Sequence, residues 1–234
     1  MASKAVQVET QRDKLERKEA AILRAARSVF VDNGFDGARM SEIAKRAGVG
    51  EGTIYSYYES KAELMLAVLQ QFWDGLTLEA RNVMAGVKAS EAIKRLEALA
   101  TYHLEILIQN ADFINLSFAL RRNNSEVSVS RDHLRQYVAV FDEIFGRGQD
   151  RGELRPDSLL WHARDVFYGT LEYSARSIEV VADNKGNDRL QKPVVDNLIA
   201  LFANHFGTSD QPSDMEKSSE QLNRIEAKLD QLLS

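Results

Sequence analysis

Apolar residues recur at intervals of three and four along nearly the whole chain, which is the spacing of helices that bury one face. Ile22, Ala25, Ala26, Val29 and Phe30 mark a first helix over about Leu15 to Asn33, ended by Gly34, with Phe35 closing a small core behind it. Ile43, Ala44 and Ala47 give a short second helix from Met40, and Gly48-Val49-Gly50 interrupts it with two turn-compatible glycines. Ile54 and Tyr58 carry a third, from about Glu51 to Tyr58. Ser60 opens a fourth as N-cap, with Glu63 completing a capping box, and Leu64, Ala67, Val68 and Phe72 extend it toward Val83. Further stripes predict helices over about Ser90 to Gln109, Ala111 to Arg122, Leu134 to Phe145, Ser158 to Ala182 and Leu190 to Phe206. GTSDQPSDMEKSS then reads as a linker. Leu222, Ile225, Leu229 and Leu232 form an a/d pattern of about two heptads, too short to be stable alone. It would dock on its own assembly, zip with a second copy, or bind another protein.

The chain has 234 residues, 44% hydrophobic, with three Pro and no Cys. These figures fit an all-α protein with a sizeable core and exclude disulfides and cysteine-held zinc. No run is apolar enough to span a membrane, and the start lacks a signal-peptide core, so a cytoplasmic protein is expected. The net charge of −5 hides an asymmetry. Residues 1–61 hold 11 Lys and Arg against 9 Asp and Glu, and the remainder holds 19 against 26. The modest basic excess lies with the short helices, where a nucleic-acid partner would need it. Catalysis finds no support: His103, His133, His162 and His205 are dispersed, and no nucleophile elbow, Walker loop or dinucleotide fingerprint is present. No metal or other cofactor is expected, and the chain is not expected to be an enzyme.

Helix, tight Gly turn, helix is the helix-turn-helix plan, whose second helix enters the DNA major groove. AGVGEGTIYSYYESKAEL, from Ala47 to Leu64, resembles the helix-turn-helix of TetR-family transcriptional regulators. Two positions depart from that pattern: Gly50 stands where a capping Ser is usual, and Arg39 where a Thr commonly caps the preceding helix. The resemblance implies an N-terminal three-helix DNA-binding domain followed by a helical regulatory and dimerisation domain. The expected division is a flexible tail over residues 1–15, with a basic arm touching DNA as the alternative, and a DNA-binding domain over 16–62. A ligand-binding and dimerisation domain follows over 63–207, then a linker over 208–218 and an amphipathic helix over 219–234. Carried over position by position, the resemblance makes Ser41, Glu51, Gly52 and Tyr55 base-facing candidates. Thr53, Tyr57 and Lys61 become phosphate clamps, with Arg39 a further one. Tyr58 reads as core, and Lys45 and Arg46 as a solvated face.

In the regulatory half, Tyr102, His103, Asn115, Arg121, Arg122, Tyr137, Tyr168 and Glu172 are polar groups at apolar stripes that could line a ligand cavity. Taken singly, each also fits a satisfied core or surface position, His103 above all. FALRRNNSE, a long helix and then FYGTLEYSARS are similar in layout to TetR-type repressors of fatty-acid degradation, which implies a small hydrophobic effector and makes acyl-CoA a candidate. The last two long helices resemble that family's dimer surface, with Val166, Gly169, Thr170, Ser174, Leu198, Leu201 and Phe202 as its residues; the alternative is that both helices only close their own core. The expected function is a dimeric repressor on a palindromic operator, released by its effector. The alternative is a ligand-independent, DNA-organising or partner-recruiting helix-turn-helix protein.

Overall fold

The computed structural model describes residues 10–122, 131–181 and 187–208, of which 121, 122, 131, 132, 187 and 188 are described by backbone alone. Residues 1–9 of the expected tail, the linker from 209 onward and the terminal heptads lie outside the described residues. Among those described, the chain is all helical: α1 (Gln11–Gly37), α2 (Met40–Ala47), α3 (Glu51–Tyr57), α4 (Lys61–Ala85), α5 (Ala92–Gln109), α6 (Ala111–Arg122), α7 (Arg131–Asp150), α8 (Leu160–Val181) and α9 (Asn187–Phe206). The only extended pairing among them is an isolated antiparallel bridge between Leu154 and Gly207.

α1 begins earlier than its apolar stripe, so residues 11–15 are helical rather than part of a tail. The Thr10 hydroxyl accepts from the Asp13 N–H at 3.1 Å, and the Asp13 carboxylate accepts from the Thr10 N–H at 2.9 Å. This capping box uses Asp at its third position instead of Glu. Those two bonds hold the Asp13 carboxyl below its usual range. Gly34, at φ 69°, breaks the helix as expected, and the chain makes one further turn to Gly37. Gly48, also at φ 69°, turns the chain between α2 and α3. At Ser60 the hydroxyl accepts from the Glu63 N–H, while the Glu63 carboxylate reaches one residue past the N-cap to the Glu59 N–H.

Ile22, Val29, Phe30, Ile43 and Ile54 fill the space between the first three helices, with Leu64 and Met65 of α4 closing it. The expected boundary after residue 62 therefore falls in the first turn of a helix that continues unbroken. Farther along α4, Phe72 meets Phe113 of α6 and Trp73 meets Tyr137 of α7, both edge to face. α5 runs through the middle of the second core, with Leu96, Leu99, Ala100 and Leu104 fully buried. Its first N–H groups lack a local side-chain cap; the Ala92 N–H instead donates to the Glu153 carboxylate at 2.6 Å, from the loop before α8. Gly148 permits that approach, because a Cβ there would meet Ala92 and Leu154 at 2.9 and 2.8 Å.

Two expected dimer residues belong to the chain's own core. Leu198 is 1% exposed, and Phe202, fully buried, packs edge to face on Phe167 and Phe141. The α9 stripe that the sequence shows is the face turned inward, toward α5 and α8. Leu201, on the opposite side, is 61% exposed. On α8, Val166, Gly169, Thr170 and Ser174 are half-buried on one face.

Candidate nucleic-acid interface

α3 is seven residues long, and its position comes from two buried anchors. Ile54 is fully buried, and Tyr58, the C-cap residue, donates its hydroxyl to Glu19 of α1 at 3.1 Å. Burial and the neighbouring Glu19 carboxylate push the Tyr58 hydroxyl pKa up, so it stays a neutral donor. α2 is fixed to α1 by polar contacts: Arg46 pairs with Asp32 at 2.5 Å and Glu42 at 2.8 Å and donates to Ser28. Arg46 is exposed, as expected of a solvated face, and through Asp32 and Ser28 it also braces α2 against α1. Lys45 is exposed as expected.

With the inner face spent on packing, the outer face of α3 is open. Glu51 and Gly52 are exposed, and Tyr55 is 48% exposed with no hydrogen-bond partner among the described residues. A Cβ at Gly52 would meet nothing within 4 Å, so the N-terminal turn presents bare backbone. Gly50 caps α3 in extended conformation without a side-chain bond. The first N–H groups therefore face outward for an anion such as a phosphate oxygen. Ser41 and Arg39, at the start of α2, are exposed and have no side-chain partner among the described residues, and Arg39 makes no cap bond. Thr53 is half-buried beside them.

Two expected phosphate clamps stand differently. Lys61 donates from Nζ to the Asp36 and Ala38 carbonyls, each at 3.1 Å, and lies 4.8 Å from the centroid of the Phe35 ring. Its ammonium pins the α1–α2 connection with two of its three N–H groups, which leaves one for a phosphate. Tyr57 is half-buried, with its hydroxyl 3.5 Å from the Leu15 carbonyl oxygen. It keeps part of its edge open.

The early start of α1 adds residues that the apolar pattern did not single out. Lys14, Lys18 and Arg24 border a groove between α1 and the Gly48-Val49 turn. All three are exposed, and Lys14 and Lys18 stand one helical turn apart. The signal was the i, i+4 lysine pair, but it mattered only once α1 was known to reach past Leu15.

In the regulatory half the expected ligand residues separate into three places. Tyr102 lies on the α4 side, its hydroxyl donating to Glu79 at 3.1 Å. Asn115 and Glu172 border a narrow groove between α5, α6 and α8. His103, Tyr137 and Tyr168 meet at the centre of the bundle. His103 Nδ1 and the Tyr137 hydroxyl are 2.7 Å apart, and the Tyr168 ring stands edge to face 4.8 Å from the His103 ring. Burial drives the His103 pKa down to about 3, so the ring is neutral, and holds Glu172 above the usual carboxylate range. The side chains of Arg121 and Arg122 lie outside the described residues.

Comparison with known proteins agrees with this layout. The family model described as bacterial regulatory proteins, tetR family, matches residues 22–68, and that of the YsiA-like protein C-terminal region matches 76–204. The chain belongs to the TetR family. It is therefore a transcriptional regulator of the DNA-binding, helix-turn-helix class, with a C-terminal ligand-binding domain. This TetR-family chain is 28% identical over 157 residues to the fatty acid metabolism regulator protein of Bacillus subtilis, covering 66% of its own length and 80% of the relative's. It is 44% identical over 69 residues to the transcriptional activator FasR of Mycolicibacterium smegmatis, which covers 30% of this chain and 32% of that one. Its fold matches that of FadR from Bacillus subtilis in complex with stearoyl-CoA, with a TM-score of 0.66 and 22% identity over 77% of this chain and 97% of that one. No helix among the described residues is long and apolar enough to cross a membrane.

Proposed function

We propose that this regulator is a dimeric repressor, acting in the cytoplasm, that binds a palindromic operator and is released by a small hydrophobic effector, with an acyl-CoA thioester as the leading candidate. The observation that carries the reading is the open outer face of α3, where Glu51, Gly52 and Tyr55 are exposed while Ile54 and Tyr58 fix the helix from behind. Glu51 can accept from a cytosine amino group, and Tyr55 can meet a thymine methyl. Ser41 and Gly52 face the bases beside them, while Arg39, Thr53, Tyr57 and Lys61 serve the phosphates, joined by Lys14, Lys18 and Arg24 along α1. Each half-site contact is weak, so two copies are needed for specificity.

The pairing surface combines Val166, Gly169, Thr170 and Ser174 of α8 with Leu201 of α9. Tyr173 and Leu201, exposed by 73% and 61%, are large apolar groups that a second copy would cover. The acyl-CoA reading draws support from the fatty acid metabolism regulator among the relatives and from the stearoyl-CoA named in the Bacillus subtilis complex. An effector bound more tightly by one arrangement of the two α3 helices would shift the population away from operator spacing. A titration of the protein on its own upstream DNA, with and without stearoyl-CoA, tests this. At least a tenfold loss of affinity with the thioester is expected; unchanged affinity at saturating stearoyl-CoA contradicts it.

A further inference from the structure

Of the six Lys and Arg along α1, five are exposed and Arg27 is half-buried. Its guanidinium carbon lies 4.9 and 4.8 Å from the ring centroids of Phe72 and Phe113, whose own centroids are 5.0 Å apart. Three nearly equal sides place the cation over the seam of the two rings, so they shield it from one side only. A hydrogen bond from Nη2 to the Asn110 side-chain oxygen fixes it, and the Asn110 amide is itself held by donating to the Ile106 carbonyl at 3.0 Å. A guanidinium has more donors than that one bond uses. No carboxylate pairs with Arg27 among the described residues, and burial holds its pKa below the usual range with nothing to offset it. A charge kept at that depth without a counter-ion is costly, and an incoming anion would relieve the cost.

The guanidinium opens on a groove of about 340 Å³ between α1, α4 and the end of α5, a volume within the span of small-molecule sites. Val68, Phe72 and Leu76, on successive turns of α4, and Ile106 of α5 give it an apolar lining. Gly75 interrupts that stripe, and a Cβ there would meet nothing within 4 Å. A glycine inside a 25-residue helix costs stability relative to alanine; here it leaves the groove open. The other charged residue lining the groove is Glu79. It is exposed, and its carboxylate accepts from the Tyr102 hydroxyl at 3.1 Å. Two helical turns separate it from Phe72, about 10 Å of rise, which exceeds the screening length of about 8 Å at physiological salt. Arg27 therefore sets the sign of the inner end.

We propose that this groove is a binding site for a small monocarboxylate with an apolar body, its carboxylate received by the remaining N–H groups of Arg27 and its chain laid along Val68, Phe72 and Leu76. The site lies at the seam between the DNA-reading helices and the second core and stands apart from the acyl-CoA reading. The acyl end of a thioester is neutral, whereas the free acid carries the charge that Arg27 lacks beside it.

The test is calorimetric titration of the full chain at pH 7 with octanoate, octanamide and octylammonium, three probes of one chain length and opposite or no charge. Octanoate should bind about tenfold more tightly than octanamide, with octylammonium weakest. Arg27→Met, which keeps an apolar stem beside the rings, should bring octanoate down to the octanamide level. Gly75→Leu fills the groove while leaving Arg27 and Asn110 in place, and should abolish octanoate binding. The open space at Gly75 and the better helix propensity of leucine keep that variant folded, which circular dichroism checks. Stearoyl-CoA binding should be unmoved by Gly75→Leu; its loss together with octanoate would overturn a separate site. Octanoate no tighter than octanamide, a preference for octylammonium, or octanoate binding unchanged in folded Gly75→Leu also overturns it.

Discussion

Tyr55 and Lys61 divide the roles that the family pattern assigns to one short segment. Tyr55 is open and supports nothing inside the protein. Tyr55→Ala should weaken operator binding about tenfold, the scale of about 1 to 1.5 kcal/mol for one lost groove contact, with the melting temperature unchanged. Lys61 is the converse, because its ammonium holds two backbone carbonyls and stands over a ring. Lys61→Met should cost about 1 to 2 kcal/mol in a denaturant melt and also lower the salt slope of DNA binding. An unchanged salt slope would remove it as a phosphate contact. The sequence shows a lysine at a helix start beside a DNA-reading motif. It cannot show that the carbonyls of Asp36 and Ala38, from the previous connection, come within reach. His103 makes a third case. Its pKa falls from 6.5 to about 3 on burial, so below pH 6.5 the unfolded chain takes up a proton that the folded one refuses. Its stabilising share is whole above pH 6.5 and is lost toward pH 3, at up to roughly 1.4 kcal/mol per pH unit. His103→Gln should flatten that limb of a stability-against-pH curve, and an unchanged limb would contradict the burial.

Among the helices, existence was legible and ends were less so. The stripes of α4, α5, α6 and α8 lie in the sequence where the structure has them, because each buries one broad face and the spacing records it. The start of α1 was not, since its cap is Thr10 with Asp13, well before the first buried residue, Ile22. The start of α5 could not be, since its cap comes from Glu153, 61 residues away. On α9 the stripe itself was plain, but a stripe does not say whether its own chain or another covers it, and Leu198 and Phe202 proved internal. Contacts between elements are where any coupling would pass. Arg27 of α1 sits between Phe72 of α4 and Phe113 of α6, 4.9 and 4.8 Å from their centroids, and donates to Asn110. This cation joins α1 to α4 and α6. Arg27→Ala should cost about 1 to 3 kcal/mol of stability and weaken the effect of an effector on DNA affinity. Full coupling in a folded Arg27→Ala protein would show that α4 alone transmits the signal.

For the whole molecule, reading DNA with seven-residue helices makes sense only in pairs. If the pair forms over the half-buried α8 face and Leu201, as proposed, Thr170→Arg with Leu201→Arg should convert the protein to a monomer in sedimentation and abolish operator binding, while the monomer keeps its helical content. A dimer that survives both charges would move the interface elsewhere. The central claim, an outward face of α3 presented twice to successive major grooves, is tested most directly by titrating the full chain onto its own upstream duplex at rising salt and measuring stoichiometry with affinity. Two chains per site, with log K falling linearly against log salt and Lys14→Ala, Lys18→Ala and Arg24→Ala, present in both copies, together lowering the slope by roughly 5.4, is the expected result. A protein that ignores the duplex at low salt, or binds it as a single chain with a slope indifferent to those three residues, contradicts it.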